Sequence, residues 1–88
     1  MTVRKRIIFS GNVQGVGFRW HAKNTANSLG VTGWVQNCFD GSVEMEAEGD
    51  EDAVDELIAA MQEHIWGYVD HVDIEDVPPE HDYYFEIR

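Results

Sequence analysis

Eighty-eight residues allow one small domain, 1–88, and exclude a doubly wound nucleotide-binding fold, an α/β barrel or a second lobe. Hydrophobic residues make up 43% and charged residues 26% of the chain, ordinary globular proportions, and no apolar run is long enough to span a membrane or to form a secretory leader. A formal net charge of −11 argues against partners such as nucleic acid and anionic membrane, which require cationic surface.

Val3 to Phe9, rich in β-branched and aromatic residues, reads as a strand. Gly11 to Gly17 holds three further-spaced glycines and reads as a loop. From Phe18 the period changes: Phe18, Ala22, Ala26 and Leu29 fall at helical spacing, and Gly30 supplies the left-handed residue that ends many helices. Thr32 to Asn37 is a second strand, and Asp40-Gly41 a hairpin signal. Val43, Met45 and Ala47 alternate with Glu44, Glu46 and Glu48, the pattern of a strand with one buried and one wet face. Asp50 suits an N-cap, with Glu51 and Asp52 at the positive end of the helix it opens. Val54, Leu57, Ile58, Met61 and Ile65 form the apolar stripe of that helix. Val69 to Val77 reads as a strand in which Val72 and Ile74 oppose Asp73 and Glu75. Pro78-Pro79 marks a loop, and Tyr83 to Ile87 is a possible short fifth strand.

The order β-α-β-β-α-β is that of the split βαβ, ferredoxin-like α+β sandwich: an antiparallel sheet with two helices on one face. In it the first and second strands run the same way on either side of the third. Their C-terminal ends meet, which predicts that the loop 11–18 lies close to Asn37.

Charge divides sharply along the chain. Residues 1–39 contain five Lys or Arg and no Asp or Glu, whereas residues 40–88 contain all 17 acids and one base, Arg88. An anionic small molecule therefore finds its cations in the N-terminal part, and the acids read as solubilising surface. The one cysteine, Cys38, excludes an intramolecular disulfide and fits a reducing, cytoplasmic location.

The segment Gly11-Asn12-Val13-Gln14-Gly15-Val16-Gly17-Phe18-Arg19 joins a strand to a helix N-terminus. Such ends expose unpaired N–H groups and partial positive charge, and glycines let successive N–H groups converge on an anion. Arg19 adds a planar fork that matches two phosphate oxygens. A nucleotide P-loop needs Lys and Ser or Thr where Phe18-Arg19 stands, and a dinucleotide fingerprint needs glycine at Trp20. A tight turn with a surface arginine has the same local pattern, so the loop alone does not decide.

Gly11-x-Val13-Gln14-Gly15-Val16-Gly17-Phe18-Arg19 resembles the signature loop of the acylphosphatase family. Gly33-Trp34-Val35-x-Asn37-x-x-Asp40-Gly41-x-Val43-Glu44 resembles its second signature, and the likeness extends to the closing Phe85-Glu86-Ile87-Arg88. The chain departs from the family at Cys38-Phe39 and across 64–68, away from the motif positions. The resemblance implies a ferredoxin-like sandwich that hydrolyses the carboxyl-phosphate bond of acyl phosphates with no metal or cofactor. It implies that Arg19 binds the phosphoryl group, that Asn37 orients the attacking water, and that the backbone of Gln14, Gly15, Val16, Gly17 and Phe18 cradles the phosphate.

That chemistry asks for few groups. A carboxylate leaves readily, so no strong general acid is needed. Phosphoryl transfer is mostly positioning and charge stabilisation. Cys38 lacks the phosphate cradle that a phosphocysteine nucleophile requires directly after it. His21, His64, His71 and His81 form no close ligand cluster, so no metal is expected. Trp20 falls off the apolar stripe of its helix and is expected to be partly exposed, and Trp34 to serve packing. The expected partner is a small acyl phosphate bound by a monomer. The alternative is a non-catalytic ferredoxin-like module that uses the same loop for anion binding or protein docking; the pairing of Arg19 with Asn37 favours the enzyme, since a binding module has no use for a water-positioning amide. An RNA-binding role is disfavoured by the negative charge.

Overall fold

In the computed structural model the described residues are 1–63 and 68–88. Strand β1 (Thr2–Asn12) turns Ile7 and Phe9 to the core, and Arg4, Arg6 and Ile8 to the other face. It is longer than its hydrophobic pattern indicates. The ladder to β4 (Tyr68–Val77) continues through Gly11 and Asn12 past a bulge at Ser10/Gly11. Gly11 permits this: its φ is +131°, and a Cβ there would lie 2.2 Å from the Tyr68 carbonyl oxygen. The loop expected from Gly11 therefore begins only at Val13.

Helix α1 (Phe18–Leu29) buries Phe18, Ala22 and Ala26, the predicted stripe, and ends at left-handed Gly30. The Val31 N–H closes that end on the Ala26 carbonyl at 2.9 Å. Strands β2 (Thr32–Asn37) and β3 (Val43–Asp50) form a hairpin, and helix α2 (Glu51–Met61) buries Val54, Leu57, Ile58 and Met61. Asp50 stands at the N-cap of α2 but makes no capping hydrogen bond; its carboxylate takes the Met1 amino group at 3.1 Å instead. His64 and Ile65 lie outside the described residues. Strand β5 (Phe85–Ile87) completes the order β4-β1-β3-β2-β5.

β1 and β2 are each antiparallel to β3, and β4 is antiparallel to β1. The sheet expected to be antiparallel is mixed at one edge, because β5 pairs with β2 in parallel. Helix and sheet side chains form one core, in which the Phe9 and Phe18 rings meet edge to face at 5.2 Å. This is the ferredoxin-like α+β sandwich.

The opposite sheet face is not the wet face its glutamates suggest. Arg4 lies opposite Glu48, and Arg6 opposite Glu46. The buried Arg4 guanidinium donates to Glu46 at 2.6 Å, Glu48 at 3.1 Å and Asp82 at 3.0 Å. Glu48, 5% exposed, also accepts the N–H groups of Glu80 and His81 at 2.7 and 3.0 Å. Residues 80–82 thus cover this face and lead the chain to β5. On β4, an edge strand, Val72 is half-buried, but Ile74 is 50% exposed.

Candidate active site

The two parallel strands β1 and β2 bring the β1–α1 segment and the end of β2 to one end of the sheet. In that segment Gly15 and Gly17 adopt φ of +74° and +81°. A Cβ on Gly15 would meet nothing within 4 Å, so it is conformation rather than space that calls for glycine. Gly17 is the N-cap of α1, with no side-chain cap and no acid in the first turn. With no acid in that turn, the positive end of the helix is not neutralised by a side chain of its own first turn.

Gly15, Gly17 and Arg19 line a cavity of about 150 Å³ together with Asn37 from β2. Arg19 is half-buried, and its Nη1 donates to the Arg88 carbonyl oxygen at 3.0 Å. Arg88 is itself fixed: its N–H donates to Val35 at 2.8 Å, and its guanidinium lies 4.7 Å from the Trp34 ring centroid. Asn37 is exposed, and its side chain has no hydrogen-bond partner among the described residues.

The other predicted loop residues play different parts. The Gln14 side chain does not line the cavity. Its Nε2 donates to the Cys38 and Ser42 carbonyl oxygens, both at 2.8 Å, tying the loop to the hairpin that follows Asn37. That hairpin is further set by Asp40, whose Oδ1 accepts the Ser42 N–H at 2.9 Å and hydroxyl at 2.6 Å. These bonds hold the Asp40 carboxyl below its ordinary range. Val16 packs against the core, and Phe18 is part of it while also lining the cavity. Cys38 is half-buried and is not among the residues that line this cavity. Among the described residues no group of three His, Cys, Asp or Glu is placed to hold a metal.

Sequence reasoning missed Val13, Trp20 and Ile87, which also line the cavity, and the carbonyl of Arg88. Val13 and Trp20 stood within or beside the loop pattern and were readable as neighbours. Ile87 had no local signal, because only the parallel pairing of a three-residue strand brings it there. A larger cleft of about 640 Å³ lies beside Lys23, Asn27 and Tyr84, but it opens at the C-terminal, negative end of α1 and carries Glu86. The small cavity lies instead at the positive, N-terminal end of α1 and holds Arg19.

Comparison with known proteins places the whole chain. The chain matches the Acylphosphatase family model over residues 5–87. It is 51% identical over 77 residues to an acylphosphatase of Bifidobacterium longum, spanning 86% of this chain and 79% of that protein. Its fold superposes on the crystal structure of acylphosphatase from Bacillus subtilis with a TM-score of 0.92 at 34% identity, covering 100% of this chain and 99% of that one. An acylphosphatase from Coxiella burnetii gives a TM-score of 0.93 at 33% identity, covering 99% and 93%. No helix among the described residues is long and apolar enough to cross a membrane. Likeness that runs through nearly the whole length, in sequence and in backbone alike, leaves a single assignment: the chain belongs to the acylphosphatase family of hydrolases.

Proposed function

We propose that the Arg19–Asn37 cavity hydrolyses acyl phosphates to a carboxylate and inorganic phosphate by direct attack of water. The observation that carries this reading is the meeting of Gly15, Gly17, Arg19 and Asn37 around one small cavity at the N-terminus of α1. The loop amides and the Arg19 fork hold the phosphoryl oxygens and take up the charge that builds on them. The Asn37 amide accepts a hydrogen bond from water through its oxygen and sets the line of attack. The water oxygen forms a bond to phosphorus while the bond from phosphorus to the acyl oxygen breaks, its electron pair leaving with the carboxylate. Asparagine is no base at neutral pH, so a water proton passes to a phosphoryl oxygen of the substrate. The product is dihydrogen phosphate or its conjugate base.

The residues 1–88 act as one domain, as a monomer in the cytoplasm; the lone cysteine and the strongly acidic C-terminal half support this. The test is hydrolysis of benzoyl phosphate beside a phosphate monoester such as p-nitrophenyl phosphate. Turnover of the first and not the second is expected, because a phenolate-type leaving group lacks the ease of a carboxylate and no described residue of the cavity lining is a general acid for it. Inertness towards benzoyl phosphate overturns the reading in favour of a binding module.

A further inference from the structure

The cavity has two kinds of wall. Arg19, Asn37 and the glycine backbone make its polar part; Val13, Phe18, Trp20 and Ile87 make the rest. Val13 and Phe18 are core residues, buried whatever binds. Trp20 and Ile87 are not. Trp20 is 60% exposed and Ile87 39% exposed, and among the described residues these two are the large exposed apolar side chains that line the cavity. They come from opposite ends of the chain. Trp20 follows Arg19 in the first turn of α1, and Ile87 precedes Arg88, whose carbonyl oxygen holds the Arg19 guanidinium. The contact between Arg19 and Arg88 therefore sets the two apolar side chains beside the phosphate clamp.

At about 150 Å³ the cavity is well below the size that encloses a drug-sized ligand. It accepts a phosphoryl group and little more. One bridging oxygen separates phosphorus from the acyl carbon, so the acyl group of a bound substrate emerges at the rim. Arg19 is the one charged side chain of the lining among the described residues, and phosphate engages it. No cation is left there for a second negative charge on the acyl group.

We propose that Trp20 and Ile87 are specificity-determining residues that form an acyl-group platform and favour acyl phosphates with a flat, uncharged, apolar acyl group over small ones. This rests on the hydrolysis reading above. An indole face offers ring stacking that a methyl group cannot use. The ring also sheds water when covered, so the gain grows with the area of the acyl group. Because the platform touches the leaving carboxylate's substituent and not the phosphoryl group, it changes the choice of substrate and leaves phosphate recognition to Arg19 and the loop.

The experiment measures kcat/KM for benzoyl phosphate and for acetyl phosphate, with inhibition by inorganic phosphate as the report on the polar part. The wild-type protein is expected to prefer benzoyl phosphate. In Trp20→Ala the benzoyl-to-acetyl ratio should fall roughly three- to tenfold, the range expected for loss of one aromatic contact. Ile87→Ala should move it the same way by a smaller factor, and Trp20→Phe should restore most of it. Inhibition by phosphate should change by less than about twofold, far short of the tenfold that 1.4 kcal/mol produces. A ratio unchanged in Trp20→Ala, or an equal fall for both substrates, overturns the platform while the hydrolysis reading stands. A wild-type protein inert to both substrates overturns the two together.

Discussion

The Arg19 guanidinium donates to the carbonyl oxygen of Arg88 across 3.0 Å and 69 residues of sequence. A flexible side chain in the first turn of α1 is thereby held by backbone that is itself pinned to β2 through Val35. One guanidinium nitrogen is occupied by this contact, and a fork has others to offer an anion. Ordering the side chain before substrate arrives lowers the entropy lost on binding.

Arg19→Lys keeps the charge and loses the fork. A lysine ammonium cannot bond the Arg88 carbonyl and two phosphoryl oxygens in the same plane. The expected result is a fall in kcat/KM for benzoyl phosphate of roughly a hundredfold or more, the scale set by removal of one preorganised donor. Thermal stability should hardly change, since the residue is half-buried and outside the core. Steady-state kinetics with a parallel thermal melt check this; activity within a few-fold of wild type counts against the clamp.

Asn37→Ala separates catalysis from binding. The amide has no hydrogen-bond partner among the described residues and lies on an exposed strand end, so its loss leaves nothing buried unpaired. The fall in kcat should reach about a hundredfold, about 3 kcal/mol, while inhibition by inorganic phosphate stays close to wild type. Loss of phosphate binding, or unfolding, would make Asn37 a ligand or a structural residue instead.

Gln14→Ala tests the tie between the loop and the hairpin. It removes two hydrogen bonds and leaves the Cys38 and Ser42 carbonyl oxygens, which also accept Gly41 and Cys38 N–H groups respectively, with one partner each. Because those carbonyls keep a partner, the stability cost is about 1–2 kcal/mol. For a domain of this size that is a drop in Tm of roughly 4–16 °C. The kcat should fall as well, since Asn37 directly precedes the hairpin that Gln14 holds. A stability cost of that size with unchanged kcat would mean that the tie serves folding alone.

Much of this was readable from residues alone, and the gaps have physical causes. Helix α1 is legible from Phe18, Ala22 and Ala26 because one face packs on one core. The proximity of the loop to Asn37 follows from strand order, since parallel β1 and β2 must end together. The extent of β1 was not legible, because Gly11 in a ladder looks like a loop glycine until a backbone neighbour requires it. The glutamates of β3 misled in a different way. Alternation shows that Glu44, Glu46 and Glu48 leave the core, but not that Arg4 and residues 80–82 close over the other face. Ile87 in the cavity is a long-range consequence of parallel pairing, which a three-residue strand does not announce.

Exhaustive chelation is expected to leave turnover intact, as is Cys38→Ser. Among its described residues the cavity is lined by no carboxylate, imidazole or thiol, and its one charged side chain is the Arg19 guanidinium, which repels a cation. The Cys38 backbone serves the hairpin, and serine preserves it. Activity lost on chelation and restored by a divalent ion would overturn the direct attack of water described above.

The last prediction concerns acid and Glu48. Burial pushes the Glu48 carboxyl up, but the Glu80 N–H, the Arg4 guanidinium and the His81 N–H together outweigh it and hold the carboxyl below its ordinary range. A carboxylate depressed in the folded state adds stability at pH values above its unfolded pKa, near 4.3. That stability is lost as pH falls through the lower folded value. Wild-type stability should therefore decline as pH drops below about 4.3, in part through this one group. Glu48→Gln keeps the shape and one acceptor but removes the charge. At neutral pH it should cost roughly 1.5–3 kcal/mol, the range for a hydrogen bond to a charged group. The cost is held there because Glu46 and Asp82 still neutralise Arg4. At acid pH the wild-type carboxyl is itself protonated, so the two proteins should converge. Urea denaturation at neutral pH and at successive pH values below 4.3 measures the gap directly. Other carboxylates titrate in both proteins and largely cancel in the difference. A gap that stays constant from neutral to acid pH would show that Glu48 contributes by packing alone, and that its charge does not fasten residues 80–82 to the sheet.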